Sequence, residues 1–319
     1  MASEWERIEA LRAAFAAPSI AGVVLGIGDD AAVLAPEPDL LVWTVDAAVD
    51  GVHFRRDLAS LVDIGYRATM AAASDLAAMG ASPRGLLSAL VLPPDVSDQD
   101  LADLAAGQRA AADALGTAIL GGNLARGSEL SITTTALGAT PRPLTRAGAL
   151  PGDALWAAGP IGLAAAGLGL LLAKSPLASA AARAAVLRWR RPDAWIAAGI
   201  AARAWAHAAI DVSDGLAQDV QHLARAGVVE VILDASAVVT PELREAAAEL
   251  GGDPLDLALH GGEDYALVIA APADALLPGF TRIGSIAGTA ATPGAGAVRV
   301  RREDGAIVAI APRGFDHFR

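Results

Sequence analysis

Two adjacent carboxylates, Asp29 and Asp30, stand between a glycine turn at Gly26 and Gly28 and the apolar run Ala31 to Leu34. The glycines permit a tight turn, and the run reads as the start of a short buried strand. Neighbouring carboxylates beside apolar packing repel each other and lose hydration, so the fold must bring a cation or several N–H donors to this point. Two arrangements satisfy that demand. One is a divalent metal bound through oxygen; the other is an Asx turn in which Asp29 caps the following backbone.

Carboxylates recur at the ends of apolar runs along the chain. Leu40 to Val45 reads as a strand delivering Asp46, and the polar turn Asp50-Gly51-Val52-His53-Phe54 follows. Ser60 to Met79 reads as a helix with Ser60 or Asp57 as its cap. At 100° per residue, Ile64, Ala68, Ala71, Asp75 and Met79 share one stripe, so Asp75 interrupts an inward face and should point toward a partner. Beyond it, Leu86 to Leu92 reads as a strand, Ser97 to Leu115 as a helix and Thr117 to Leu120 as another strand. This last strand opens into Gly121-Gly122-Asn123-Leu124-Ala125-Arg126-Gly127, ahead of a strand from Leu130 to Leu137. A glycine pair after a strand serves a turn or lets backbone N–H groups approach phosphate, and Arg126 favours the second use.

In the second half, Ala208 to Val212 carries Asp211 and ends in Ser213-Asp214-Gly215 before a helix from Leu216 to Ala226. Capping accounts for Ser213 and Asp214 but not for Asp211. His260-Gly261-Gly262-Glu263-Asp264-Tyr265 then precedes a strand from Ala266 to Ala270. His53 and His260 have the chemistry of a base or of an ordinary polar contact, and neither is assigned as a general base.

With 319 residues the chain has room for two domains. Pro141, Pro143 and Pro151 place their boundary near Thr140, giving domains 1–140 and 141–319. Hydrophobic residues make up 54% of the chain but aromatics only 4%, so the cores should be Ala-rich helices on Val and Leu strands. No cysteine is present, which removes thiol catalysis, thiolate metal sites and disulfides. The charged start, Met1 to Arg7, lacks the apolar core of a secretory signal, so a cytoplasmic location is expected. The longest uncharged run, Ala154 to Ala173, is interrupted by Pro160 and several glycines and reads as strand, turn and buried helix rather than a membrane span. A net charge of −12 disfavours nucleic acid and anionic lipid as partners. A small phosphate ligand is still compatible, provided divalent cations stand between its charges and the protein's.

With no thiol, P-loop or Ser/His/Asp set, the acidic clusters point to metal-assisted phosphoryl transfer, for which oxygen-only ligands suit Mg²⁺. Seven stretches also carry a resemblance: GIGDDAAVL at 26–34, VDAAVDGVHF at 45–54, SDLAAMGA at 74–81, LTRAGALPGD at 144–153, IDVSDGL at 210–216, HGGEDYALV at 260–268 and RGFDHF at 313–318. In order and over nearly the whole chain, they resemble the thiamine-monophosphate kinases of the aminoimidazole ribonucleotide synthetase superfamily. Selenophosphate synthetase and the hydrogenase-maturation relative fit poorly, since their chemistry uses cysteine or selenocysteine.

The resemblance implies an N-terminal α/β domain whose sheet pairs across a homodimer, a C-terminal α+β domain, and ATP in the cleft between. It implies Mg²⁺ on Asp30, Thr44, Asp46, Asp75, Asp211 and Asp214, with ATP contacts from Gly121, Gly122, Asn123, Arg146 and Ser213. Thiamine monophosphate would meet His53, Glu263 and Phe315. Three positions depart from the family pattern. GGNLARG replaces GGDTTRG, putting Asn123 where a metal-binding carboxylate is usual and Leu124 where a threonine is. Ala73 replaces an asparagine. Val45 replaces a threonine, although a metal contact through its backbone carbonyl would survive. These departures keep two alternatives to an active kinase open: a non-catalytic nucleotide-binding homologue, and an ATP-dependent synthetase for another small phosphate.

Overall fold

The computed structural model describes residues 3–16, 20–290, 296–311 and 313–314. The chain forms two compact units, Met1–Leu76 with Ala81–Arg142, and Ala77–Gly80 with Pro143–Arg319.

Unit 1 opens with α1 (Glu4–Phe15), started by a reciprocal capping box between Ser3 and Glu6. Strands β1 (Val23–Leu25) and β2 (Val33–Leu34) pair antiparallel around the glycine turn. The run from Ala31 to Leu34 was expected to be a buried strand. Only its last two residues are strand, and Val33 is exposed, because this two-stranded ribbon is not part of the larger sheet. That sheet is built from β3 (Leu40–Val49), β4 (Ser82–Leu92), β5 (Ile119–Arg126) and β6 (Ser131–Thr140), in the order β3-β6-β4-β5. Helix α2 (Leu61–Ala78) lies between β3 and β4 in sequence, and α3 (Asp98–Ala114) between β4 and β5. Ser60 caps α2 by accepting from the Asp63 amide. The two helices meet through Gly65 and Gly107, where a Cβ would stand 2.2 Å from the Leu104 carbonyl oxygen and 1.9 Å from that of Val62. Only glycine permits so close a backbone approach.

Unit 2 contains β7 (Ala154–Ala158), α4 (Leu163–Leu172), α5 (Ala180–Arg190), α6 (Ile196–Ala202), β8 (Ala208–Val212), α7 (Leu216–Gly227) and β9 (Val229–Asp234). These are followed by α8 (Ala235–Val238), α9 (Pro241–Leu250), α10 (Pro254–His260), β10 (Ala266–Ala271), β11 (Thr281–Thr289), β12 (Ala297–Arg301) and β13 (Ile307–Ala309). One seven-stranded sheet runs β13-β12-β9-β11-β7-β10-β8, antiparallel except for β9 with β12. Every residue of β10 is buried. Ala266, Val268 and Ala270 join one apolar cluster and Leu267, Ile269 and Ala271 another, so the two faces of this strand are covered by separate cores. The uncharged run from Ala154 to Ala173 is accordingly β7, a turn and α4. No helix among the described residues is long and apolar enough to cross a membrane.

Candidate active site

In unit 1, the strand β3 and the helix α2 place Thr44 and Asp75 against each other. The Thr44 hydroxyl donates to Asp75 Oδ2 at 2.5 Å, a short charge-assisted bond. Ile64, Ala68 and Ala71 on the same stripe are buried, so Asp75 does interrupt an inward face. Asp46 lies two residues beyond Thr44, on the same side of β3, and is exposed; its Oδ1 accepts from the Ala47 amide at 2.9 Å. His53 Nδ1 accepts from the Val49 amide at 3.1 Å, which fixes the ring beside the end of β3.

The glycine pair does not form the expected loop. Gly121, Gly122 and Asn123 lie within β5, paired in parallel with Leu87, Ser88 and Ala89 of β4. Local glycine content suggested a turn, but strand pairing with a distant segment prevails. Strands β3 and β5 are opposite edges of the sheet, three strand spacings apart. At about 4.8 Å per spacing this is roughly 14 Å, so Asp46 and Asn123 of one copy cannot share an ion.

A cavity of about 440 Å³ adjoins β5, lined by Asp29, Asp30, Gly121, Gly122 and Asn123 and by side chains of α1. Asp29 Oδ1 accepts from the Asp30 amide at 2.8 Å, one residue short of the amide an Asx turn takes, and both carboxylates are exposed. Gly28, at φ +127°, has the Arg12 guanidinium 2.9 Å from where its Cβ would be, so a side chain there would displace Arg12 from the carboxylate turn.

Unit 2 holds a denser acidic group. Asp211 on β8 is 7% exposed and Asp219 on α7 is 4% exposed. Ser213 was expected to cap α7. Instead Gly215, at φ +122°, occupies the cap position, and Asp219 Oδ2 accepts from the Asp214 and Gly215 amides at 3.1 Å each. Burial, with the charges of Asp211 and Asp214 adding to it, pushes the Asp219 carboxyl up to about 8. Gln218 Nε2 donates to Asp214 Oδ2 at 3.1 Å. Asp219 escaped the sequence reading, although it sits in the first turn of a helix whose Leu216, Val220 and Leu223 are buried. The stripe argument that singled out Asp75 applies to it equally.

The segment after α10 is tied to the end of β8. The Glu263 amide donates to the Ser213 carbonyl at 2.7 Å and the Tyr265 amide to that of Val212 at 2.8 Å. Gly262, Glu263 and Tyr265 all have positive φ, at 71°, 62° and 50°. For the two non-glycine residues this costs on the order of 1–2 kcal/mol each, strain that surrounding contacts must hold. Asp264, also missed, is one such anchor: its buried carboxylate accepts from the Gly162 amide at 2.6 Å and the Ala164 amide at 3.1 Å at the start of α4. Glu263 itself accepts from the Trp189 indole N–H. His260 lies within this region, and burial followed by the charge of Arg313 lowers its imidazole. Arg313 donates to Asp256, and Gly314 packs against Asp214 and Gln218. Phe315 and the residues that follow it in the motif lie outside the described residues. Arg146 is exposed and close enough to His222 for its charge to help burial lower that imidazole.

Among the described residues, no group of three His, Asp or Glu side chains forms a ready metal cage. Mg²⁺ seldom asks for one, since it keeps several waters and takes one or two carboxylates together with substrate phosphates. The oxygen groups present, Asp75 held by Thr44 with Asp46 on the same side of β3, and Asp211 and Asp214 each acting on Asp219, fit that demand.

The models of AIR synthase related protein match the chain at residues 28–140 for the N-terminal domain and 151–291 for the C-terminal domain. Thiamine-monophosphate kinase of Aquifex aeolicus is 32% identical over 298 residues, covering 92% of each chain. That of Escherichia coli K12 is 36% identical over 310 residues, covering 93% of this chain and 92% of its own. The chain belongs to the thiamine-monophosphate kinase family. Among solved structures, AaThiL complexed with AMPPCP and TMP superposes with a TM-score of 0.79 at 31% identity, covering 87% of each chain. Thiamine-monophosphate kinase from Stenotrophomonas maltophilia reaches 0.78 at 36% identity, covering 94% of this chain and 95% of its own. Hydrogenase maturation protein HypE in complex with ATP reaches 0.78 at 20% identity, a likeness of fold alone. Both domains of a thiamine-monophosphate kinase are therefore present, in the two-domain fold of AIR synthase related proteins.

Proposed function

We propose that the chain transfers the γ-phosphoryl group of ATP to thiamine monophosphate, giving thiamine diphosphate and ADP. An oxygen of the substrate's phosphate attacks the γ-phosphorus in line, and the bond to the ADP oxygen breaks. Support comes from relatives named for this substrate over nine-tenths of the chain. The structural observation that carries the reading is the unit 2 acidic group. Burial, and then the charges of Asp211 and Asp214, raise the cost of ionising Asp219, as expected of a site made to receive cationic charge.

The residues that would hold Mg²⁺ are Asp30, Thr44, Asp46, Asp75, the Val45 carbonyl and Asn123 in unit 1, and Asp211 and Asp214 in unit 2. Asp46 and Asn123 would serve different ions, and when bound these supply neutralisation of polyphosphate charge. Gly121, Gly122, Arg146 and Ser213 bind ATP, and the cavity beside β5 is of the size expected for a small-molecule site. His53, Glu263 and Phe315 bind thiamine monophosphate. No separate general base is needed, because positioning and charge stabilisation carry this class of reaction.

We also propose a homodimer joined through the outer face of the unit 1 sheet. Leu41, Trp43 and Val45 alternate on that face of β3, with Trp43 71% exposed, and Leu87 of β4 is exposed on it as well. An exposed apolar row on an edge strand is a liability unless covered. Conversion of thiamine monophosphate to thiamine diphosphate by the purified chain with ATP and Mg²⁺ tests the activity.

A further inference from the structure

Glu263, proposed to contact thiamine monophosphate, has its carboxylate held by a side chain from a distant element. Trp189, on the last turn of α5, is 1% exposed, and its Nε1–H donates to Glu263 Oε2 at 3.2 Å. The Tyr265 hydroxyl lies 3.5 Å from Oε1, at the limit of a hydrogen bond. The backbone beneath is fixed as well, through the Glu263 and Tyr265 amides and the Asp264 carboxylate. A half-buried glutamate with three rotatable side-chain bonds is thus confined at both ends.

An indole N–H is a donor only, and it is never charged. It therefore orients the carboxylate without cancelling its charge, which stays available to a cationic ligand. Donor satisfaction alone does not explain the pairing in this chain, because the buried indole N–H groups of Trp156 and Trp195 have no hydrogen-bond partner among the described residues. We propose that Trp189 is a positioning residue: it presets Glu263 to receive the cationic, amine-bearing ring portion of thiamine monophosphate rather than its phosphate. This rests on the reading of Glu263 as a substrate contact.

The test is a double-mutant cycle of Trp189→Phe and Glu263→Ala, with kcat, KM for each substrate and melting temperature measured on every protein. Glu263→Ala is expected to raise KM for thiamine monophosphate. Trp189→Phe should raise the same constant about ten- to a hundredfold, the worth of one hydrogen bond to a charged group, with KM for ATP unchanged. In the Glu263→Ala background, Trp189→Phe should add nothing. If Glu263→Ala leaves KM for thiamine monophosphate unchanged, the substrate-contact reading fails. If it raises KM but Trp189→Phe does not, or if the two effects simply add, the positioning role is overturned and the contact survives. Should Trp189→Phe not fold, the indole ¹H–¹⁵N resonances give the answer. One resonance should shift in Glu263→Ala and, in the wild-type protein, on adding thiamine monophosphate; no response to either overturns the proposal.

Discussion

Replacing Asp75 by Asn separates a ligand role from a structural one, because the amide keeps the shape and one acceptor oxygen. The Thr44 hydroxyl that donates to Asp75 Oδ2 at 2.5 Å can still donate to the asparagine carbonyl oxygen. What is lost is the charge assistance. Hydrogen bonds to charged groups contribute about 1.5–3 kcal/mol and neutral ones about 0.5–1.5, so folding should lose only about 1 kcal/mol. Removing a carboxylate from a metal-dependent phosphoryl-transfer site acts on the barrier instead. Losses of 10- to 100-fold follow even from residues one shell further out, so kcat should fall by at least about 100-fold. Thr44→Val, which leaves the carboxylate charged but unsteadied, should cost less, about tenfold. Urea melts and initial rates on the same samples, at saturating ATP and thiamine monophosphate, separate the two effects. A large loss of stability with kcat retained in the folded fraction would refute the reasoning and make Asp75 a structural residue.

Asp219→Asn should flatten the pH dependence of stability. With a carboxyl at about 8 when folded and an ordinary value when unfolded, the native state holds a proton that the unfolded chain has released; stability therefore declines as pH rises from about 4 toward 8. Urea midpoints at pH 5.5 and 8.5 in chelator should differ in the wild type and less in the variant. Asn123→Asp should lower the Mg²⁺ needed for half-maximal rate, since a carboxylate is the better hard-cation ligand; an unchanged Mg²⁺ curve removes position 123 from the metal site. Trp43→Asp should place a charge in the exposed apolar row of β3 and give a folded monomer by light scattering, whereas an unchanged dimer mass assigns the interface elsewhere.

Most of what the sequence revealed was local. The inward placement of Asp75 follows from the period of a long helix. Prediction failed where partners distant in the chain decide. Gly121 to Arg126 look like a loop until β4 pairs with them. Ser213 is a good cap by composition, but the turn at Gly215 lets Asp219 reach back from the first turn of α7 and take the amides. That reach is still legible in principle, from an aspartate in the first turn of a strongly amphipathic helix. Trp189 and Glu263 are 74 residues apart, and no periodicity or motif links an indole on α5 to a glutamate beyond α10.

The central claim is best tested by thiamine diphosphate formation. Purified protein incubated with ATP, Mg²⁺ and thiamine monophosphate should yield thiamine diphosphate and ADP in equal amounts, with the product lost when chelator is in excess and no phosphorylated side chain trapped during turnover. Binding of ATP without any thiamine diphosphate formed, across a full range of Mg²⁺ concentrations, would contradict the account and identify the chain as a non-catalytic member of its family.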